Sequence, residues 1–525
     1  MAKVTIDGTE VEVQEGINVI EAAKAADIHV PHFCYHPSLT VVGQCRMCLV
    51  EVEGMPKLQA GCSTTVKEGM KIHVYNDKVD KARKGQMEFL LINHPLDCPI
   101  CDKAGECPLQ DYSFNYGSVT SRYGEFKRTY PGMDRTPIGP HVVQNMNRCI
   151  HCTRCIRFTQ EITGTSELAF FKRGAATEVG IFPDTPLDNW MSACVTDLCP
   201  TGALTTREFR FENRVWNLDT AESVCNGCDV GCNMFIGHRN GQIFRYRPRV
   251  NPDVNDHWLC DYGRFSHERY ETDRVVVPKR RTDDYLGIST WGEALDAIRA
   301  AVGATTPDRI TVIASAHMTN EEAFLARKLF AEALGVRNIE LMVDPIGPIR
   351  MKARTEWLVG TQGAPNYRGV QGVLGEQASN RIEDILTRGA GGIDLLYICD
   401  AGFSDRTRDA AVAANLRKAK FVVVHSWDAT HPVNDIADVL LPSTHHAEKE
   451  GTFTNLQGRI QRIHQAYAPK GQAVPDLEIF RRLGAHLFPG AAEFRTANAH
   501  ELFDDMRATI PAMQNAEEAA PAEAW

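Results

Sequence analysis

Fifteen of the seventeen cysteines, with one histidine, fall into four groups whose spacing suits metal ligation. The groups are Cys34, Cys45, Cys48 and Cys62; His94, Cys98, Cys101 and Cys107; Cys149, Cys152, Cys155 and Cys199; and Cys225, Cys228, Cys232 and Cys260. Cys194 and Cys399 fall outside any such pattern. Disulfide scaffolds are small, secreted and evenly cysteine-dense. Here sixteen cysteines precede residue 261 and only Cys399 follows, so the CxxC steps fit metal ligation in a reducing compartment. Four clusters strung along one chain would make a wire for electrons.

Each group has its own chemistry and its own competing reading. The first reads C-x10-C-x2-C-x13-C, with Gly43, Gln44 and Arg46 around its central ligands. It is a variant of the plant-type ferredoxin pattern, a tight loop whose amides point at sulfur, and predicts a [2Fe-2S] cluster. The competitor is structural zinc. The second group lacks a fourth cysteine, and His94 lies four residues before Cys98. A neutral imidazole in place of a thiolate removes one negative charge and raises the cluster potential. The plainer reading makes His94 a helix-terminal residue. The third group, Cys149-x2-Cys152-x2-Cys155 with a remote Cys199-Pro200, is half a bacterial ferredoxin and predicts one [4Fe-4S] cluster. Cys194 is then a small buried residue. The fourth, Cys225-x2-Cys228-x3-Cys232-x27-Cys260, suits a further [4Fe-4S] cluster, with zinc its main competitor. Arg46, Lys103, Arg148 and Arg154 lie beside ligands and would stabilise reduced clusters, unless they are ordinary surface charges.

The elements that must hold these groups change texture along the chain. Residues 1–78 predict a β-grasp unit. Lys3–Asp7 and Glu10–Val13 alternate like strands joined by Gly8-Thr9, Asn18–Ala26 reads as a helix, and Leu49–Val52 and Lys71–Tyr75 are further strands. Apolar residues at helical spacing over 79–93 lead into His94-Pro95. Residues 79–215 form a Gly/Pro/Cys-rich module with few regular stretches, and 216–285 carry the fourth group. Over 286–510, strands such as Ile310–Ala314, Leu395–Ile398 and Phe421–Val424 alternate with helices such as Glu321–Leu334, which implies a parallel-sheet α/β domain. Residues 511–525 predict a disordered tail. The fold class is therefore multidomain, α+β followed by α/β.

Composition narrows the function. No run of eighteen apolar residues occurs, so no membrane span is expected. The N-terminus reads MAKVTIDGTEVEV, without the features of an export or transit signal. A net charge of −10 argues against a nucleic-acid partner. No GxGxxG opens a βαβ unit, and no GxxxxGK[ST] occurs, so the chain shows no nucleotide site or catalytic residues of its own.

The stretches HPLDCPICDKAGECPLQD (94–111), RCIHCTRCIRF (148–158) and DLCPTGAL (197–204) closely resemble the large iron–sulfur subunit of NADH:quinone oxidoreductase, respiratory complex I. The same three-cluster module also occurs in NAD-linked hydrogenases and soluble formate dehydrogenases. The second half resembles the molybdopterin oxidoreductase fold through Leu259–Arg264, Ala437–Pro442 and Glu450–Arg459. It departs from the molybdenum enzymes in having Tyr262 where a lysine is common, about sixty residues after Arg459, and no evident molybdenum ligand. The resemblance implies an electron-transfer subunit of the peripheral arm with one [2Fe-2S] and three [4Fe-4S] clusters and no molybdopterin. FMN and NADH would sit on a flavoprotein partner. A thioredoxin-like [2Fe-2S] subunit and the iron–sulfur subunits of the quinone module are the other expected partners. Attachment to the cytoplasmic face of a bacterial inner membrane would be indirect; retention of all four cysteines of the last group points to that source. The alternative is a subunit of a soluble formate dehydrogenase or hydrogenase.

Overall fold

The computed structural model describes residues 1–283, 285–353, 356–375, 378–379, 381–399, 404–496 and 498–514. The chain divides into two compact units, Met1–Leu218 and Asp219–Trp525.

The first unit begins with strands β1 (Ala2–Ile6) and β2 (Thr9–Val13), paired antiparallel. Asp7 and Gly8 between them both have positive φ, 45° and 85°, as the tightest hairpin turns require. With β3 (Leu49–Val52), β4 (Gln59–Ala60) and β5 (Lys71–His73) they form a sheet of order β2-β1-β5-β3-β4. Helix α1 (Val19–Ala25) starts where the Asn18 side chain accepts the Glu21 N–H at 3.0 Å. It buries Val19, Ile20, Ala22 and Ala23 against Val4, Ile6, Val50 and Ile72. Each such aliphatic side chain stabilises by about 1.5–3 kcal/mol when fully buried. Helix α2 (Asp77–Leu91) is capped by Asn76 and buries Val79, Arg83 and Met87. The Arg83 guanidinium lies 5.4 and 5.5 Å from the ring centroids of Tyr75 and Tyr116, so aromatic faces serve a cation with little water. Beyond residue 95 the regular elements are short: α3 (Pro108–Tyr116), α4 (Arg154–Arg157) and α5 (Cys194–Leu198).

The second unit opens with an antiparallel sheet of Asp219–Val224, Asn233–Arg239 and Gln242–Pro248. An eight-stranded sheet follows, whose central strands Asn338–Met342, Ile310–Ser315, Leu395–Ile398, Phe421–Ser426 and Val439–Pro442 are parallel neighbours in that order. Both faces are apolar. Val312, Ala314, Leu395, Tyr397 and Val423 enter one core, and Ile313, Leu396, Ile398, Val422 and Val424 the other. That explains strands that read as unbroken hydrophobic runs. The helix expected over 321–334 begins with a capping box of Thr319 and Glu322, and passes from α-helix (Asn320–Ala326) to a π-helical stretch (Arg327–Ala333) before Gly335. The expected tail needs correction at its start. Pro511–Gln514 is helical, and Ile510 and Met513 are buried in the α/β core, because two apolar side chains here outweigh the polar composition that follows. The rest of the predicted tail, 515–525, lies outside the described residues. Among those described, no helix is long and apolar enough to cross a membrane.

Candidate metal centres

The first group sits at the edge of the β-grasp sheet. Cys34 follows α1, Cys45 and Cys48 lead into β3, and Cys62 follows β4, all buried. Gly43 and Arg46, with φ of 61° and 55°, fold the intervening loop. The thiols stand in two hydrogen-bonded pairs, Cys34 with Cys45 and Cys48 with Cys62. Within the first pair the shared bond pushes Cys34 down to about 5 and Cys45 far up. Four thiolates together therefore need cations between them. The Phe33 N–H points at Cys45 Sγ at 3.5 Å.

His94 follows α2, its N–H donating to Leu91 O at 3.2 Å. It shares a cavity of about 960 Å³ with Cys98, Cys101 and Cys107. Its Nδ1 is buried with no hydrogen-bond partner. Burial, helped by Lys127 and Arg148, pushes the imidazole down to about 4, so it is neutral at pH 7. A neutral ring with an orphaned nitrogen, sharing a cavity with three cysteines, has the chemistry a metal ligand requires. Burial pushes Cys107 up to about 11, against the opposing pull of the Gln110 and Leu109 amides. Cys98 is exposed, unlike every other cysteine of the four groups.

Cys149, Cys152, Cys155 and Cys199 line one small pocket with Gln144, Val179 and Thr201. His151 and Thr153 hold positive φ, 56° and 64°, a cost of roughly 1–2 kcal/mol each that turns amides inward: the His151 N–H lies 3.3 Å from Cys149 Sγ. Burial raises Cys152 to about 11 and Cys149 and Cys155 further. Cys199 ends α5, and Cys194 is a buried residue of the same helix.

These three groups are physically joined. Cys34, Cys45, Cys107 and Cys152 belong to one apolar cluster with Phe33, Met47, Met87 and Leu109. The third group lies against both others. Its Cys199 leads into Pro200, whose carbonyl is 3.5 Å from Cys107 Sγ. A Cβ on Gly202 would lie 2.3 Å from Cys101 Sγ. On the other side, Arg157 of α4 donates to Cys34 O at 2.5 Å and to Cys152 O at 3.4 Å. Sequence reasoning misses Arg157. Its signal is the i, i+3 spacing from Arg154 on a helix that carries the ligand candidate Cys155. Of the cations adjacent to ligands in the sequence, Arg148 pairs with Asp97 at 3.0 Å and Lys103 with Glu106 at 3.6 Å. Arg46 is exposed.

The fourth group belongs to the second unit. Cys225–Cys232 is the turn between the first two strands, closed by Cys225 N–H to Cys232 O at 2.7 Å. Cys260 caps a short helix, accepting the Gly263 N–H at 3.4 Å, and Gly227 donates to Cys225 Sγ at the same distance. All four are nearly fully buried. A Cβ on Gly263 would sit 2.6 Å from Cys225 Sγ, and one on Gly360 2.8 Å from Cys228 Sγ. Glycine is needed where backbone comes this close to sulfur. Burial pushes Cys225 up to about 11.

Among the described residues, no three of His, Cys, Asp or Glu converge as a single-ion site does. The donors of the first group stand in pairs, and those of the second and third around shared pockets. Buried thiols whose protons are hard to remove, backed by N–H donors and glycine, fit a group that supplies its own positive charge and takes N–H···S bonds.

Residues 1–77 match the family described as 2Fe-2S iron-sulfur cluster binding domain. Residues 83–122 match the NADH-ubiquinone oxidoreductase-G iron-sulfur binding region, and 139–205 the ferredoxin-like domain of NADH-quinone oxidoreductase subunit 3. Residues 218–268 match the NDSU1/NuoG-like 4Fe-4S domain and 371–486 the molybdopterin oxidoreductase family. Fold and site thus define an iron–sulfur protein of the oxidoreductases. The NADH-ubiquinone oxidoreductase 78 kDa subunit of Candida albicans is 30% identical, over 92% of this chain and 82% of its own length. An NADH-quinone oxidoreductase subunit of Rickettsia typhi is 30% identical, over 93% and 87%. The subunit of the same name in Rickettsia felis is 42% identical over 64% of this chain, a match spanning about half, 50%, of that relative. The chain belongs to the family of the large iron–sulfur subunit of NADH-quinone oxidoreductase. Among solved structures, an NAD+-reducing [NiFe]-hydrogenase in the H2-reduced state is 27% identical with a TM-score of 0.36, over 41% of this chain and 91% of that one.

Proposed function

We propose that this chain relays single electrons from a flavoprotein partner toward quinone through three ligand sets of its first unit. Cys34, Cys45, Cys48 and Cys62 would hold a [2Fe-2S] cluster. His94, Cys98, Cys101 and Cys107 would hold one [4Fe-4S] cluster, and Cys149, Cys152, Cys155 and Cys199 another. When bound, such clusters take up and release one electron without making or breaking a bond. The carrying observation is the contact chain in which the third group touches the first through Arg157 and the second through Pro200. The protein's own residues bury the sulfurs, aim N–H groups at them and, through His94, remove a charge from one set.

Cys225, Cys228, Cys232 and Cys260 would hold a further [4Fe-4S] cluster. Its role is structural, tying the first hairpin of the second unit to Cys260. If Cys228→Ser abolishes NADH-to-quinone turnover in a fully assembled complex, that role is wrong. The α/β half is a scaffold derived from a molybdenum enzyme without its active site. We read residues 1–78, 79–215, 216–285 and 286–510 as successive modules of the chain, the first two packed within one compact unit. The partners are a flavoprotein subunit holding FMN, a thioredoxin-like [2Fe-2S] subunit and the quinone-module iron–sulfur subunits, on the cytoplasmic face of a bacterial inner membrane.

Elemental analysis of the anaerobically purified protein tests the whole assignment. It should give about fourteen iron atoms per chain and no stoichiometric molybdenum. Iron about four short with zinc near one would move the fourth group to zinc. Stoichiometric molybdenum would make the α/β half an enzyme.

A further inference from the structure

Arg157 is 5% exposed, yet every acceptor it has is neutral. Its Nη2 donates to Cys34 O at 2.5 Å and Cys152 O at 3.4 Å, its Nη1 to Thr40 O at 2.5 Å, and its Nε to Thr153 Oγ1 at 3.1 Å. Among the described residues no carboxylate stands within ion-pair reach of it. Arg154, one turn earlier on α4, repeats the pattern. It donates to Tyr35 O, next to Cys34, and to Leu198 O, next to Cys199, while its Nε is buried without a partner. A buried cation without a counter-ion is costly enough that proteins rarely keep one. Arg157 is such a cation: the carboxylate on its own turn, Glu161, is taken up by Thr40 instead, and the part-buried Arg154 three residues away adds a second charge without an ion pair among the described residues.

We propose that Arg157, seconded by Arg154, is the shared counter-ion of the first and third ligand sets, one pair of charges that raises both reduction potentials together. This rests on the reading of those sets as cluster ligands. Each set brings one ligand cysteine, Cys34 or Cys152, whose own carbonyl accepts from the guanidinium. The same guanidinium stands on both sides, its Nη2 bonded to the carbonyls of Cys34 and Cys152 alike. Arg is suited to this work, since it stays protonated and its planar fork reaches two carbonyls at once. When an electron passes between the sets, no bond forms or breaks. The charge that leaves one side of the guanidinium arrives on the other, so the cation stabilises the electron on either side. Arg148 and Lys103 cannot serve this way, because Asp97 and Glu106 already neutralise them.

The test is an EPR-monitored redox titration of the assembled protein, comparing wild type with Arg157→Gln, Arg157→Lys and Arg154→Gln. Arg157→Gln should disfavour reduction of both the first and the third cluster at least tenfold, 59 mV for a one-electron couple. The signals of the second and fourth groups should stay in place. Arg157→Lys, which keeps the charge but loses the fork, should restore most of both shifts. Should Arg157→Gln not assemble, Arg154→Gln leaves all four Arg157 bonds intact and must still lower both potentials. A shift of one cluster alone, or equal shifts with Lys and Gln, overturns the shared counter-ion. Missing cluster signals in the wild type would instead sink the relay reading itself.

Discussion

Alanine at position 202 would place a methyl carbon 2.3 Å from Cys101 Sγ and 3.3 Å from Lys103 Cβ. Non-bonded carbon atoms settle about 3.5–4.0 Å apart, so the Cys101 sulfur must retreat by more than about 1 Å. Gly202 does not occupy the left-handed region, and the effect is therefore steric alone. Its neighbours are poorly able to yield. Cys101 is 9% exposed, its carbonyl accepts from Arg214 at 2.7 Å, and Lys103 Nζ is held by Thr196 O at 3.3 Å. Overpacking of this kind costs about 1–3 kcal/mol, roughly a 5- to 150-fold loss in the equilibrium that keeps the site formed. The assay is iron per chain and the EPR spectrum of anaerobically purified Gly202→Ala. The second group's signal should weaken or vanish, with up to about four iron atoms lost, while the other signals persist. Gly85→Ala is the control. Its Cβ meets nothing within 4 Å, and inside α2 the change should stabilise by about 0.5–1 kcal/mol. A Gly202→Ala protein with full iron and an unshifted spectrum would refute the placement of Cys101 as a ligand packed against that loop.

Three further outcomes follow from other contacts. His94→Cys exchanges a neutral donor for a thiolate, so the second cluster should persist at a lower potential; an unchanged potential in a redox titration strikes His94 from the ligands. Arg274 grips Glu448 with bonds of 2.7 and 2.5 Å, both side chains being almost inaccessible. Arg274→Met strands that carboxylate and should destabilise the second unit by about 3–5 kcal/mol in chemical denaturation; a loss under about 1 kcal/mol would mean the pair behaves as a surface one. Burial pushes the Glu321 carboxyl up to about 7. The folded protein thus holds this proton more tightly than the unfolded chain, and the contribution is complete below 4.5 and lost as pH rises through 7. The stability of wild type minus that of Glu321→Gln should accordingly fall between about pH 5 and pH 8, and a flat difference would count against the raised value.

What the sequence revealed depended on how local each constraint was. The β-grasp hairpin could be read because Gly8 and the alternation of Val4 and Ile6 with Lys3 and Thr5 are local signals. The parallel sheet could be read because strands buried on both faces must be continuously apolar. His94 stood out only because its group lacked a fourth donor. The glycine contacts were invisible, since Gly360 reaches Cys228 from more than a hundred residues away and nothing nearby marks it. Arg157 was hidden for a related reason. Sequence proximity favoured the arginines adjacent to ligands, yet burial and the absence of a carboxylate partner are properties of the folded surroundings. The helix at Pro511–Gln514 escaped notice because Met513 gains its value only from a core built by distant residues.

The apolar cluster that holds Cys34, Cys45, Cys107 and Cys152 beside Met47 and Met87 bears on how the protein is made. In most proteins a cofactor enters a finished pocket. Here the sulfurs are part of the filling, drawn from segments spread over more than a hundred residues, so on the proposed ligand assignment iron delivery and closure of that core would be one event. During iron starvation a cell would accumulate open chains rather than folded, empty ones, and quality-control proteases would remove them. Limited proteolysis of iron-depleted protein should therefore cut throughout the first unit, and intact iron-free fragments of that unit would show that the core closes without metal.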